Sequence, residues 1–512
     1  MAHRAGDAGL RSPPPAADRI SALPDELIQS ILAWLPSTAA AARTSAVSRR
    51  WRGVWTSIPE LSFQVDQQRP LRADSSTAEA VDAALDAYSD SATLNRLTID
   101  VVGGASLSVS RVEAWLHFAS LRLAGELRLS LPGGASAACR QTAVVLMGQL
   151  LMHQPMMAIP AVMHQPVMAF PRGSRMQQLD LPVCERATRI DLSGINFALR
   201  LPAAGTFAAL RVLRINVASQ LRGDVGHLVS MQCPRLRELE MCDVATAAAG
   251  LSITSTSLER LVLRRVSLGM NGRIDVDAPG LYYLALDTCG DRSAPATITT
   301  AMLAELIWNH AYNPSHHNLN GADRQIYRLV ATYGSNNVAL FRRFDVVDEL
   351  CLRLSMPLKG EQYNKFLQDM DELPKAKVLE VKGLSTKRHL EPTMLHLLRK
   401  HNRLTKIKVD LFPANLKEIE CLHGCGCVPT ESWTTDDINL DSLEEVEISS
   451  FTGAPEDINL LKLLFRYRIK IRKLAIQTPS GISLSQDMQK RIWGLARPHC
   501  IILEFETTQF SR

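Results

Sequence analysis

The sequence has 512 residues, of which 46% are apolar and 21% charged, and its formal net charge is +5. This length exceeds one ordinary compact core, so we expect two or three domains or an elongated repeat architecture. The small, scattered positive excess argues against a nucleic-acid-binding protein, and the absence of a run of about 18 apolar residues argues against a membrane partner or span.

Residues 1–17 are predicted to form a solvated leader, because they contain a proline run and no apolar segment of the kind found in signal peptides. The ten cysteines are too dispersed for a disulfide scaffold, and no Asn-x-Ser/Thr site with a non-proline middle residue occurs. We therefore expect a reducing location, the cytoplasm and/or the nucleus.

Residues 18–61 predict a helical hairpin. Pro24 and the two acidic residues after it favour a helix start, because proline suits the first turn and carboxylates suit its positive end. Apolar residues then recur at helical spacing: Leu27, Ile28, Ile31, Leu32 and Leu35. Residues 39–51 predict a second, alanine-rich helix. The hairpin has more apolar surface than it can bury alone, so either the rest of the chain or a partner must cover it.

The run "LPDELIQSILAWLP" followed by "RTSAVSRRWRGVW" resembles an F-box, in the form common at the start of plant F-box proteins with leucine-rich repeats. An F-box implies docking onto the Skp-type adaptor of an SCF ubiquitin ligase, and through it onto a cullin, with a helix in a groove. The adaptor contacts implied by this resemblance are Leu23, Pro24, Leu27, Ile28, Ile31 and Val47. The residues implied to close the small core are Leu35, Trp51 and Trp55.

The pattern L-x-x-L-x-L recurs from residue 94 onward. Its clearest copies are Leu94-Leu97-Ile99, Leu210-Leu213-Ile215, Leu236-Leu239-Met241, Leu258-Leu261-Leu263 and Leu281-Leu284-Leu286. The last four start 26, 22 and 23 residues apart, close to the leucine-rich-repeat period. Weaker, unevenly spaced copies lie between the first and second of these and after the last. We predict an α/β fold in which the all-α hairpin precedes an irregular leucine-rich-repeat solenoid with a parallel sheet over residues 90–410.

Residues between the repeat leucines are expected to face outward on the sheet. They include Arg214, Glu240, Val262, Ala285, Cys351, Glu380 and Lys408. Charges of both signs alternate there, which suits protein recognition better than phosphate binding, although a merely solvated face is the alternative. We predict that Arg214, Glu240 and Arg264 contact a protein substrate.

Two segments contain possible metal ligands. The duplication "MHQPMMAIP…MHQPVMAFP" within residues 152–172 predicts a surface loop, because its prolines forbid a helix or an inner strand; a methionine-rich contact or a metal site is the alternative. In "CLHGCGCV" at 421–428, one residue separates each Cys or His from the next, so four ligands converge poorly on one ion. We predict free thiols and no metal, with structural zinc as the alternative.

Residues 411–510 predict a further strand–helix–strand unit, with the helix over residues 456–467. This part resembles the FBD domain of plant F-box proteins through Trp433, "LEEVEI", Phe451 and Gly453. A basic run follows the helix: Arg466, Arg468, Lys470, Arg472 and Lys473. It suits a solvated edge, with anion or partner binding as the alternative.

No catalytic or nucleotide-binding motif occurs, so we predict neither an enzyme nor a cofactor. The sequence predicts a substrate-recognition subunit of an SCF-type cullin-RING ubiquitin ligase, with the adaptor at the F-box and an unknown protein substrate on the repeats. The alternatives are a repeat scaffold without ubiquitin chemistry and a co-receptor for a small molecule.

Overall fold

The computed structural model describes residues 23–63, 76–131, 177–411 and 438–507 apart from short gaps. The gaps are residues 36, 47–49, 91, 102–106, 218–219, 270–271, 288, 290–293, 310, 334–336, 355–359, 383–389, 402, 439, 467–470 and 480. The chain divides into two compact units, Met1–Pro132 and Gly133–Arg512. The leader, the duplicated loop and the 421–428 turn lie outside the described residues.

The first unit consists of helices and a parallel sheet. Its helices are α1 (Asp25–Ala33), α2 (Thr38–Arg43), α3 (Trp51–Val54), α4 (Ser76–Ala87) and α5 (Val109–Arg122), with 3-10 turns at Thr44–Ala46 and Trp55–Ser57. Its strands are β1 (Glu60–Phe63), β2 (Leu94–Asp100) and β3 (Leu123–Ser130), and β2 pairs with both others in parallel. Leu61, Leu97 and Leu127 are in register across the three strands and are buried, as the repeat pattern predicts.

The predicted second helix is shorter than expected. The sequence pattern predicted one helix over residues 39–51, but α2 ends at Arg43 and a 3-10 turn follows. The Thr44 and Ser45 hydroxyls donate hydrogen bonds to the carbonyl oxygens of Ala41 and Ala42. Hydroxyl groups that bond the preceding turn in this way compete with regular helix geometry, which accounts for the difference.

The second unit is a strand-rich solenoid. Its strands are β4 (Gln178–Asp180), β5 (Arg189–Ser193), β6 (Ala198–Arg200), β7 (Val212–Asn216), β8 (Gln220–Arg222), β9 (Glu238–Cys242), β10 (Ala245–Thr246), β11 (Gly250–Thr254), β12 (Arg260–Arg264), β13 (Arg273–Asp277), β14 (Tyr283–Asp287), β15 (Ala296–Thr299), β16 (Glu305–Trp308), β17 (His317–Asn320), β18 (Gln325–Thr332), β19 (Val346–Arg353), β20 (Lys375–Lys382), β21 (Lys406–Asp410), β22 (Glu445–Ser449), β23 (Ile471–Thr478) and β24 (Cys500–Thr507).

One long parallel sheet runs through this unit in the order β5-β7-β9-β12-β14-β16-β18, and then through β19 to β24 without interruption. The repeat leucines Leu213, Leu239, Leu261 and Leu284 stand opposite one another across β7, β9, β12 and β14, and all are buried. Because each repeat buries its leucines against those of the next, the core is continuous along the stack.

The layer behind the long sheet changes along the chain. In the early repeats it is made of strands, in two parallel sheets ordered β10-β8-β6-β4 and β11-β13-β15-β17. The later repeats have helices instead: α7 (Val338–Phe341), α8 (Gly360–Met370), α9 (Leu390–Lys400), α10 (Pro455–Arg466) and α11 (Gln486–Ala496). Where the early repeats are described, they also contain a short helix α6 (Val225–His227), followed by a π-helical turn at Leu228–Gln232.

Repeat length accounts for much of this change. β19, β20 and β21 begin at residues 346, 375 and 406, whereas β9, β12 and β14 begin at residues 238, 260 and 283. The longer connections have room for a helix of several turns, and the shorter ones return through an extended segment. In the described part of the chain, no helix is both long enough and apolar enough to cross a membrane.

Candidate functional site

Helix α1 has one buried and one exposed apolar side. Ile28 and Leu32 are 0% and 2% exposed, whereas Leu27, Ile31 and Trp34 are 50%, 47% and 89% exposed. The exposed residues follow one another at intervals of four and three positions, so they line one face of α1 and its C-terminal cap; we call them the α1 stripe. Apolar side chains grouped in this way on an ordered helix indicate a protein-binding surface.

Polar contacts fix α1 without covering the stripe. The Arg50 Nε atom donates to Asp25 Oδ1 at 2.8 Å, and Arg50 also donates to the Leu23 carbonyl, so the residue before α3 is tied to the start of α1. The amide of Gln29 donates to the Ser57 hydroxyl at 2.9 Å. These bonds restrain the rotation of α1, and the stripe therefore keeps a defined orientation within the unit.

The core beneath α1 is small but closed. Ile28 and Leu32 lie in it, together with Ala41, Trp51, Val54 and Ile58, all of which are buried. Leu35 and Trp55 are half-buried at its margin. The Thr38 hydroxyl is also buried and accepts a hydrogen bond from the Ser62 amide at 2.7 Å, which links α2 to β1.

The predicted adaptor contacts fall into two groups. Leu27, Ile31 and Pro24 are exposed and Leu23 is half-buried, so they remain candidates for contact with a partner. Ile28 must be corrected, because its side chain is 0% exposed and belongs to the core instead of the surface. Position i+1 on a helix is rotated by about 100° from position i, and this rotation places Ile28 on the other side from Leu27.

Trp34 was not among the predicted contacts, and the contact predicted for Val47 stays a prediction. Val47 lies outside the described residues. Trp34 is the most exposed member of the α1 stripe, and it follows Leu27 by seven positions, which is two helical turns. This spacing could have predicted that Trp34 shares a face with Leu27. It was not used because Trp34 is the C-terminal cap of α1 and does not lie within the helix.

A second candidate surface lies on the long sheet, on the side chains that alternate with the buried leucines; we call it the sheet face. Arg214 and Glu240 stand in register on β7 and β9 and form an ion pair with 3.4 Å between Nε and Oε2. Arg214 also contacts Glu238 at 3.4 Å. Arg264 is offset from them, because Val262 is the residue opposite Glu240 on β12. The structure therefore brings together two of the three predicted substrate contacts.

The centre of the sheet face differs from the prediction. Val262, Ala285 and Cys351 were expected to face solvent, but they are 1%, 0% and 3% exposed. Val262 and Ala285 pack with the buried Tyr283, and the Arg260 guanidinium stacks over the Tyr283 ring at 3.5 Å. Small side chains between longer neighbours lose their contact with water, so these outward positions form a second, minor apolar cluster.

Ion pairs between strands occupy other parts of the sheet face. Arg328 contacts Glu349 at 3.8 Å and Glu380 at 3.5 Å, and Lys406 contacts Glu445 at 3.1 Å. Two members of the basic run also form ion pairs of this kind. Lys473 contacts Glu504 at 2.7 Å, and Arg472 pairs with Glu445. Charged side chains that already form ion pairs within the chain contribute less to binding a partner than unpaired ones do.

The described residues give little indication of a metal site or of a reactive thiol. No cluster of three or more Cys, His, Asp or Glu side chains there could hold a metal ion. Burial raises the pKa of Cys184, Cys233, Cys289 and Cys351 to about 12, which keeps these thiols protonated and unreactive at neutral pH. The turn at 421–428 lies outside the described residues, so its predicted free thiols stay a prediction.

Of the histidines near residue 317, one lies in a strand and is buried. His317 begins β17 and is buried, whereas His316 is exposed and His310 lies outside the described residues. The His317 Nδ1 atom accepts a hydrogen bond from the Asn313 amide at 2.8 Å, so its Nε2 atom carries the proton and faces the Ala294 carbonyl at 3.2 Å. Both ring nitrogens are thus occupied by the backbone, and His317 has a structural role.

Comparison with known proteins relates this chain to plant proteins. Residues 20–67 match the family described as F-box-like. A segment of 49 residues is 49% identical to F-box/LRR-repeat protein 25 of Arabidopsis thaliana and covers 10% of this chain and 19% of that protein. A second Arabidopsis F-box/LRR-repeat protein is 35% identical over 120 residues, or 23% of each chain.

An Arabidopsis F-box/FBD/LRR-repeat protein is 32% identical over 121 residues, which are 23% of this chain and 27% of that protein. The chain therefore spans only about a fifth to a quarter of the length of these relatives. The matches confirm the predicted resemblance to plant F-box/LRR and F-box/FBD/LRR proteins, and they place the helices that carry the α1 stripe within an F-box-like segment.

Proposed function

We propose that this chain, whose residues 20–67 are F-box-like, is a substrate-recognition subunit of an SCF-type cullin-RING ubiquitin ligase. The observation that carries the proposal is the α1 stripe. It leaves three large apolar side chains exposed on α1 and its cap, while the other side of the helix packs into the core, within the segment that matches the F-box-like family. A partner surface that covers the stripe would remove this apolar area from water.

The adaptor would bind the stripe as a groove binds one face of a helix. Leu27, Ile31 and Trp34 would be the anchors, with Pro24 beside them at the start of α1. A few buried apolar anchors usually dominate the energy of such an interface, at about 2 kcal/mol or more for each strong one. Trp34 offers the largest side chain, so it is the strongest single anchor in this proposal.

The repeats of the second unit would hold a protein substrate. The chain would then contribute proximity, since a bound substrate presents its lysines to an enzyme that other subunits supply. This role needs neither a cofactor nor a catalytic residue on this chain. The proposed location is the cytoplasm or the nucleus, where the buried thiols described above would stay reduced.

The first test is capture of a purified Skp-type adaptor by the full chain. Replacing Leu27 and Ile31 by alanine should reduce binding by at least about a hundredfold, because two anchors of about 2 kcal/mol each are removed. The matched control is Leu121→Ala, which removes an exposed leucine from α5, outside the stripe; Leu121 is 63% exposed. Undiminished capture by the double variant, with its melting transition unchanged, would contradict the F-box role and favour a repeat scaffold.

A further inference from the structure

Two exposed tyrosines flank an alanine at the starts of neighbouring strands in the second unit. Tyr282 and Tyr327 are 41% and 48% exposed; Tyr282 directly precedes β14, and Tyr327 is the third residue of β18. Ala304 lies between them, before β16: its amide donates to the Tyr282 carbonyl, and its own carbonyl accepts from the Arg328 amide, both at 2.9 Å. We call Tyr282, Ala304 and Tyr327 the tyrosine rim.

The rim has room for a ligand. Tyr282 and Tyr327 are separated by one intervening strand, so their Cα atoms lie about 10 Å apart. The methyl group of Ala304 fills little of that space. Met302, which precedes Ala304 by two residues, is 63% exposed and adds a flexible apolar side chain to the same loop.

The charge beside the rim is negative and unmatched. Glu305 follows Ala304 and has no ion-pair partner among the described residues. Arg328 stands opposite Glu305 on β18, but its ion pairs are with Glu349 and Glu380. Arg260, two strands away on β12, stacks on the Tyr283 ring.

The hydroxyl group of Tyr327 lies close to negative charge. Its hydroxyl donates to Glu349 Oε1 at 2.8 Å. Its pKa is raised, mainly by this hydrogen bond and to a smaller degree by the nearby charge of Glu305. Two carboxylates, those of Glu349 and Glu305, thus lie close to an exposed aromatic ring.

We propose that the tyrosine rim and Glu305 bind a lysine or arginine side chain in a segment of a partner protein. The cation would lie against the tyrosine rings and pair with the Glu305 carboxylate, and its aliphatic stem would contact Met302. Under the function proposed above, this partner is the substrate, so the inference rests on that function only for the name of the partner. Binding at the rim itself does not require the adaptor.

The test is to probe an array of short peptides of random sequence with the purified full chain. Lysine or arginine should be enriched at one position among the bound peptides. Replacing that residue in a selected peptide by norleucine or citrulline should weaken its binding at least about tenfold, because the ion pair and the cation–π contact are both lost. Glu305→Gln should weaken binding of the original peptide by a similar factor, and raised salt should weaken it too.

Two further variants give the test its controls. Glu444→Gln removes a carboxylate just before β22, elsewhere on the same sheet, and should leave binding unchanged. Tyr282→Ala should weaken binding like Glu305→Gln; where it lowers the melting temperature, Glu305→Gln alone decides.

Three outcomes would overturn the proposal. They are an array without bound peptides, bound peptides without a common basic residue, and binding that Glu305→Gln and Glu444→Gln affect equally. Adaptor capture is measured separately, so loss of rim binding with intact capture refutes the rim alone. Loss of capture with intact rim binding refutes only the adaptor role.

Discussion

At the scale of single residues, the F-box resemblance predicted that α1 contacts a partner but did not resolve which side of α1 is free. Leu27 and Ile28 are neighbours with the same apolar character, and only the packing of α1 against Trp51 and Val54 distinguishes them. Trp34 was not predicted as a contact because it lies at the end of α1, where the sequence pattern indicates only that the helix stops.

His401 was not predicted to matter, yet it is an unusual buried group. Its side chain is 2% exposed, and in the described part of the chain neither ring nitrogen has a hydrogen-bond partner. Burial, assisted by the nearby positive charge of Lys400, lowers the pKa of His401 to about 4. The imidazole is therefore neutral in the folded chain at any pH at which the protein is expected to work.

We expect His401 to make stability depend on pH. In the unfolded chain its pKa is about 6.5, so between pH 6.5 and 4 the unfolded state binds a proton that the folded state does not. The free energy of unfolding should therefore fall as the pH is lowered through this window, by about 2 kcal/mol from this group at pH 5. Urea unfolding at pH 7 and pH 5 measures the loss.

The variant His401→Phe keeps a similar volume and removes the titration, so it should lose less stability than the wild type between these two pH values. The same substitution at the exposed His316 serves as the control and should not change the loss. Parallel losses in wild type and His401→Phe would show that other groups account for the acid sensitivity.

At the scale of elements, the helices were easier to predict than the strands behind the long sheet. The helix predicted over residues 456–467 is observed as Pro455–Arg466, because apolar residues recur through it at helical spacing. Strands such as β6 (Ala198–Arg200) and β10 (Ala245–Thr246) are too short to show any period, and they are specified by pairing with neighbouring repeats. The second helix of the F-box-like segment ends early, at Arg43, because of local hydroxyl hydrogen bonds. The spacing of apolar residues cannot show this cause either.

The start of α10 depends on one buried carboxylate. Asp457 is 0% exposed, and its Oδ2 atom accepts from the Thr452 amide and hydroxyl, both at 2.9 Å, and from the amides of Gly453 and Ala454 at 3.1 and 3.3 Å. Gly453 has φ +83°, a conformation that few other residues adopt without strain. Asp457 therefore organises the whole turn that leads from β22 into α10.

Replacing Asp457 by alanine should leave these donors without their acceptor and cost about 3 kcal/mol or more of unfolding free energy. Equilibrium urea unfolding of the full chain provides the measurement. Glu456→Ala changes the neighbouring acidic residue in the same first turn and should cost less than about 1 kcal/mol, because only a favourable interaction with the helix end is lost. Equal effects of the two changes would argue against the buried carboxylate as the organising group.

At the scale of the whole molecule, the recurring leucines predicted a parallel stack with a continuous core, and the long sheet of the second unit has that form. Its surface was less predictable. The alternation of apolar and polar positions shows which residues point outward. It does not show which of these are shielded from water by longer neighbouring side chains, as Val262 and Ala285 are. Nor does the alternation show which charged side chains form ion pairs. Arg214 and Glu240 are 26 positions apart in the sequence, and their salt bridge depends on the register between β7 and β9.

The change of the back layer from strands to helices has a consequence for how the backbone amides exchange with solvent. In the strand-backed repeats, each repeat is bonded to the next through both layers, for example β12 to β14 in front and β13 to β15 behind. Their amides become accessible only when whole repeats separate. The amides of α8 and α9 bond within their own helices, so these can open one at a time while the ladder between β19, β20 and β21 stays closed.

Deuterium uptake followed by mass spectrometry should therefore show a slow, nearly uniform rate for peptides from β12 to β15. Faster and graded rates are expected for α8 and α9 relative to the strands β20 and β21 that adjoin them. Low urea should accelerate the first group together, because exchange there requires a large opening, and should hardly change the second. Uptake in β13 and β15 as fast and as insensitive to urea as in α8 would mean that the strand-backed repeats open separately.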